Sequence, residues 1–163
     1  MPRSGTSWVM QSLFYLRVPL FGIPHPPNRD PLMQPSNKPF WEHPDTLGGN
    51  LEILGNSTCA VKVHLRKAIE NIVLDPTDKV IFCKRNINKV AKAQEDWGLT
   101  SSYERNIKIC TQWYAKFNEW VGDTPKLEGN IDWAKNNKIQ AIQAIKNFVG
   151  SNQDITDAVG NLI

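Results

Sequence analysis

The run Lys79-Val80-Ile81-Phe82-Cys83 constrains this chain more than any other stretch. Its apolar residues follow one another without a polar break. A strand with one wet face alternates apolar and polar side chains, whereas a strand covered on both faces does not. The run therefore predicts a buried parallel strand, and parallel strands need a crossover connection, usually a helix. Lys84-Arg85-Asn86 follows directly. Asn86 suits a helix N-cap, and a helical pattern runs from about Ile87 to Trp97, where Gly98 stops it. Val90, Ala91 and Gln94 fall on its strand-facing side, with Ala93 beside them.

Other segments continue the alternation. Cys59 to Leu65 reads as a short strand, and a weaker strand falls near Leu127 to Trp133. Trp8, Val9, Leu13 and Leu16 recur at helical spacing, which predicts a helix from about Ser7 to Leu16. Ser101-x-x-Glu104 is a capping box. It opens a helix to about Val121, with Ile107, Cys110, Trp113, Tyr114, Phe117 and Val121 on one face, and Gly122 ends it. Asn137 starts a helix to Phe148 or Val149, apolar at Ile139, Ile142, Ile145 and Phe148, and Gly150 closes it. A short last helix covers Asp154 to Leu162. This order predicts the α/β class, with an open parallel sheet flanked by helices.

Residues 18–50 break the pattern. Eight prolines, from Pro19 to Pro44, exclude long helices there. The segment reads as an ordered excursion or flap within a single domain spanning residues 1–163. The aromatic pair Phe40-Trp41, followed by Glu42 and His43, indicates that part of it packs.

Charge and cysteines narrow the partners. The net charge of +3 is too small to argue for nucleic acid, although it suits an anionic ligand. Three cysteines without paired spacing predict free, largely buried thiols rather than a disulfide framework or a zinc site. No stretch approaches the ~20 apolar residues of a membrane span. The N-terminus lacks a signal-peptide pattern, so the expected setting is cytoplasmic and reducing.

Pro2-Arg3-Ser4-Gly5-Thr6-Ser7-Trp8 feeds the first helix. A Gly/Ser/Thr loop entering a helix presents unpaired N–H groups and a positive dipole end to an anion. Arg3 adds a planar cation. The NTPase P-loop is excluded as a match, because no Gly-Lys-Ser/Thr occurs.

The loop resembles the 5′-phosphosulfate loop of PAPS-dependent sulfotransferases, Pro-(Lys/Arg)-Ser-Gly-Thr-(Thr/Ser)-Trp, at every position. Two later segments resemble the same family in the same order. Lys62-Val63-His64 is similar to its Lys-x-His strand end. Arg85-Asn86-Ile87-Asn88-Lys89-Val90-Ala91 is similar to its Arg-Asn-Pro-x-Asp-Val-Ala segment. Lys38-Pro39-Phe40-Trp41-Glu42 is similar, without the Gly, to a Gly-aromatic-aromatic-Glu segment near the family's acceptor pocket. Trp113 to Trp120 and Ile145 to Gly150 resemble its aromatic helix and its Phe-Leu-Gly helix end.

The resemblance implies a P-loop-like three-layer domain, of the compact bacterial or viral type, and a sulfuryl transfer from PAPS to a hydroxyl or amine of a small-molecule or glycan acceptor. It implies that Arg3, Ser4, Gly5, Thr6, Ser7 and the helix start hold the 5′-phosphosulfate, and that Trp8 stacks on the adenine. Lys62 would contact the bridging oxygen or the sulfonate, His64 would accept the acceptor proton, and Arg85 would grip the 3′-phosphate. His43 is a rival base, and His25 lies in the same Pro-rich segment. No metal is implied. Ala93 stands where the family has a second 3′-phosphate ligand, a Ser. Ile87 replaces the usual Pro, and the Arg-Lys-Gly loop of the animal enzymes has no counterpart. The family also has an apolar strand before the loop, where this chain has only Met1. The expectation is an N-terminally truncated chain or a sheet formed without that strand, whose open edge favours self-association. The alternatives are a nucleotide-binding protein without transfer activity and, further off, a small-molecule kinase.

Overall fold

A computed structural model describes residues 6–24, 41–96 and 102–162. The described residues form a mixed α/β structure with eight α-helices and a two-stranded parallel sheet. The order is α1 (Thr6–Tyr15), α2 (Pro44–Leu47), α3 (Leu65–Asn71), β1 (Val80–Lys84), α4 (Ile87–Asp96), α5 (Tyr103–Val121), β2 (Lys126–Asn130), α6 (Ile131–Asn136), α7 (Lys138–Val149) and α8 (Thr156–Asn161). Among the described residues, no helix is long and apolar enough to cross a membrane.

The apolar run does form the strand it predicts. β1 pairs with β2 in parallel register, from Val80 opposite Lys126 to Lys84 opposite Asn130. Alternate residues of Val80–Cys83 enter two cores, which is why all four are apolar. Cys83 and, beside it, Ile81 join a cluster built from α1, α6, α7 and α8, with Leu13, Leu16, Ile142 and Leu162 nearly inaccessible. Phe82 and Val80 join Phe117, Val121 and Tyr114 of α5 instead. The Phe82 and Phe117 rings stack at 4.0 Å. Ser151 Oγ donates to the Leu16 carbonyl at 2.8 Å, tying the end of α1 to the turn after α7.

The expected strand at Cys59 to Leu65 does not form. Among the described residues one parallel bridge pairs this stretch, Leu20 with Ala60. Ala60 N–H donates to the Pro19 carbonyl at 2.8 Å, and Phe21 N–H to the Ala60 carbonyl at 3.0 Å. His64 then N-caps α3, a helix that the sequence pattern did not predict. Among the described residues the stretch makes one bridge and no ladder, so it is extended without being a sheet strand, and the sheet they form has two strands.

Several boundaries move for local reasons. The strand expected to reach Trp133 ends at Asn130, whose side chain accepts from the N–H groups of Asp132 and Trp133 and starts α6. The cap of α5 is Ser102, accepting from Arg105 N–H at 3.3 Å, so Glu104 is one position short of a capping-box partner. Ser101, Trp97 and Gly98 lie outside the described residues. On α7 the buried face is Ala141, Ile142 and Ile145, while Ile139 is exposed. The last helix is shorter than expected, Thr156–Asn161. Part of the Pro-rich segment is regular: α2 carries Pro44 at its first turn, where a missing N–H costs nothing. Residues 25–40 of that segment lie outside the described residues.

Candidate functional site

The site is centred on Lys62. Its side chain is only 8% exposed, an unusual state for a lysine. The Nζ ammonium donates to Ser7 Oγ at 3.2 Å and to Glu42 Oε1. A buried ammonium needs such partners, because desolvating an unpaired charge is costly. Three remote segments thus meet at one cation: the first turn of α1, the Trp41–Glu42 corner and the extended stretch before α3.

Each segment is held for a reason. Thr6, Ser7 and Trp8 occupy the first turn of α1, where backbone N–H groups have no intrahelical acceptor. The corner at Glu42 is pinned by two backbone bonds: Ile23 N–H to the Glu42 carbonyl at 3.0 Å, and Glu42 N–H to the Ile23 carbonyl at 3.1 Å. Gly22 makes this approach possible. Its φ is +126°, and a Cβ there would lie 2.9 Å from the Trp41 carbonyl carbon and 3.0 Å from Glu42 N. Trp41 itself sits at φ +45°, a strained conformation for a bulky residue. Its buried ring lies 5.0 Å from that of Phe14, so packing holds the strained corner in place.

Cys83 lies at the end of β1 and senses the same ammonium. Burial pushes its thiol up to about 12, with the Lys62 charge pulling weakly the other way. It is a buried, neutral, free thiol; Cys110 is likewise free and buried, whereas Cys59, expected to be buried, is free and half-buried.

Arg85 leaves β1 at the carboxyl edge, as predicted, and meets a carboxylate. Its Nε lies 3.5 Å from Asp132 Oδ1, and Lys89 Nζ lies 3.2 Å from Asp132 Oδ2. Tyr114 Oη flanks the Arg85 backbone, 3.4 Å from both its N and its O. Asn86 caps α4 as expected, accepting from Asn88 N–H at 2.9 Å. Ala93 is half-buried on α4.

Two further nominated residues are held within the fold. Trp8 is 5% exposed and part of the main core, so its ring is not an open stacking surface for adenine. The cavity beside it measures about 110 Å³ and is lined by Ile81, Cys83, Leu127, Ala134 and Ile145 among others. Nucleotide-sized ligands fill pockets of roughly 300 Å³ or more. The indole N–H of Trp8 is buried and has no acceptor among the described residues. His43 is the other. Its Nδ1 accepts from Asp45 N–H at 3.3 Å and its ring packs on Phe21, so it works as a helix cap. His64 is exposed at the N-cap of α3, two residues from Lys62. Arg3, Ser4, Gly5 and His25 lie outside the described residues.

Two partners were not assigned from sequence. Glu42 had a signal, since it is the acid that follows an aromatic pair in an otherwise proline-rich stretch. Asp132 had none, because an acid after a helix-capping Asn is ordinary.

First-turn amides of α1, the Ser7 hydroxyl and a buried ammonium meet at one corner, with Glu42 as the counter-charge. No protein-family model, curated protein or solved structure matches the chain.

Proposed function

We propose that this chain transfers a sulfuryl group from PAPS to a hydroxyl or amine of a small-molecule or glycan acceptor. One observation carries the reading: Lys62 Nζ bonds Ser7 Oγ across 55 positions of sequence. Two motifs that the family resemblance nominates separately thereby share a single polar contact. The reading brings with it a P-loop-like three-layer domain and a cytoplasmic setting.

The roles follow from charge. The acceptor oxygen or nitrogen forms a bond to sulfur as the bond from sulfur to the bridging oxygen breaks, and the electron pair leaves on the 5′-phosphate of PAP. Ser7, Thr6 and the first-turn amides of α1 hold that phosphate. Lys62 stabilises charge on the bridging oxygen, the kind of preorganised contact that carries most of such barriers. Arg85 holds the 3′-phosphate. The acceptor proton goes to His64, as the resemblance implies, or to Glu42, which Lys62 holds at the site.

Sulfur-labelled PAPS with a panel of phenolic and glycan acceptors tests this. Lys62→Met is expected to slow transfer by about 100-fold or more. Glu42→Gln and His64→Ala separate the two bases, since only the true one loses its pH-dependent limb. Absence of labelled product, together with no preference for PAP over AMP, overturns the proposal. A second reading, nucleotide binding without transfer, is favoured by Ala93 and by the ion pair on Arg85. PAP binding with no labelled product selects it.

A further inference from the structure

We infer that the cavity beside Trp8 binds a small, neutral, mostly apolar molecule carrying one hydrogen-bond acceptor, and that this acceptor takes up the indole N–H. The inference is independent of the proposed transfer reaction, because it uses none of the groups given a role there.

The cavity follows from the packing of one sheet face. β1 and β2 pair directly and turn Ile81 and Leu127 towards α1, α6 and α7. Both side chains line the cavity, as do Ala141 and Ile145 of α7. Ala141 is buried and short, so it leaves room that a longer side chain would fill. Protein interiors pack with few voids larger than a water, which makes a space of about 110 Å³ a feature of this core.

Trp8 supplies the one polar demand. It lines the cavity, is 5% exposed, and its Nε1 is a buried donor without a partner among the described residues. Buried donors are almost always bonded, so an orphan on a cavity wall calls for an acceptor. Water suits it poorly, since a buried water needs about two to four polar partners. Glu128 and Asn130 also line the cavity, but both are engaged. The Glu128 carboxylate meets Lys84 at 2.6 Å, and Asn130 Oδ1 accepts from the N–H groups of Asp132 and Trp133. A charged ligand would be buried against aliphatic walls without a counter-ion, which is costly. Size completes the description. An apolar cavity of about 150 Å³ takes benzene, so this smaller one suits a five-membered ring or a short chain. Cyclic ethers, small ketones and short esters combine that bulk with an acceptor.

Tetrahydrofuran and cyclopentane test the inference, as near-isosteres with and without an acceptor. Each is titrated into the isotope-labelled full chain and followed by NMR. Tetrahydrofuran should shift the assigned Trp8 indole N–H resonance saturably downfield, and cyclopentane should move it far less. In Trp8→Phe the ratio of the two affinities should change by about three- to tenfold in favour of cyclopentane, the range for one hydrogen bond. Ala141→Leu fills the space and should abolish both titrations. Circular dichroism verifies that each variant is folded, and where one is not, the wild-type titrations and the other variant decide. No saturable shift with tetrahydrofuran, titration that persists in folded Ala141→Leu, or an unchanged ratio in folded Trp8→Phe overturns the inference.

Discussion

Lys62 and Arg85 both come from segments that end at a candidate ligand edge, yet the molecule treats them differently. Lys62 is buried and bonded to partners 55 and 20 positions away in sequence. Arg85 and its partner Asp132 are each about one-quarter to one-third exposed, and Lys89 is more exposed still. The difference is one of commitment. A buried ammonium cannot shed its partners for water, so the Lys62 contacts are part of the fold. A partly exposed guanidinium can exchange a carboxylate for another anion at small cost. The first is built to be rigid and the second to be exchangeable.

Stability measurements can break this comparison. The largest effect is expected from Lys62→Met. It strands the Glu42 carboxylate, and removing one partner of a buried pair costs about 3 kcal/mol or more. Urea unfolding would measure it. The double variant Lys62→Met/Glu42→Gln should recover much of the loss, because no lone charge then remains. A double variant as unstable as the sum of the singles would show that the two residues do not act as a pair.

Gly22→Ala comes next, at about 1–3 kcal/mol. Its Cβ meets backbone atoms of Trp41 and Glu42 that cannot rotate away. The same variant should misplace Glu42, so a fall in the proposed PAPS-dependent transfer larger than that of a neutral surface variant is expected alongside the lower denaturation midpoint. Unchanged stability would mean that the Gly22 corner is looser than its φ of +126° implies.

Alkaline pH offers a third comparison, because Cys83 sits beside Lys62. Below about pH 8.5 the thiol is protonated in folded and unfolded chains alike, and its contribution to stability is complete. Above that pH the unfolded chain releases the proton, while the native thiol keeps it up to about 12. Stability should therefore fall as pH rises, by up to about 1.4 kcal/mol per pH unit. Cys83→Ala should flatten the slope between pH 9 and 10.5 relative to wild type. Cys59, Cys110 and Tyr114 are raised in the same direction by burial and leave a residual slope. An identical slope in the variant would contradict the burial argument.

Arg85→Ala should have the smallest effect on the empty protein, below about 1 kcal/mol, since its ion pair is partly solvated. A loss as large as that of Lys62→Met would erase the distinction between the two cations.

Much of this organisation was legible in sequence. The uninterrupted Val80–Cys83 run required two cores, and the structure supplies one on each face of β1. Capping residues marked the start of α4, and glycines the ends of α5 and α7. These are local effects, settled within a few residues by backbone geometry and hydrogen bonding. The exact cap of α5 moved by one residue because neighbouring serines compete for the same role. The Cys59–Leu65 stretch misled because its alternation is that of a strand. Strand formation also needs a partner with a matching ladder, and Leu20 provides a single bridge.

Sequence by itself determined the α/β class, the amphipathic faces and the three motif-bearing segments. It also nominated Ser7, Lys62 and Arg85 as polar residues at segment ends. Only the tertiary structure decided which of them are committed. It placed Glu42 and Ser7 on Lys62, Asp132 on Arg85 and Trp8 in the core. The physical reason is that charge pairing and burial depend on distances between segments far apart in the chain, and no local periodicity encodes those distances.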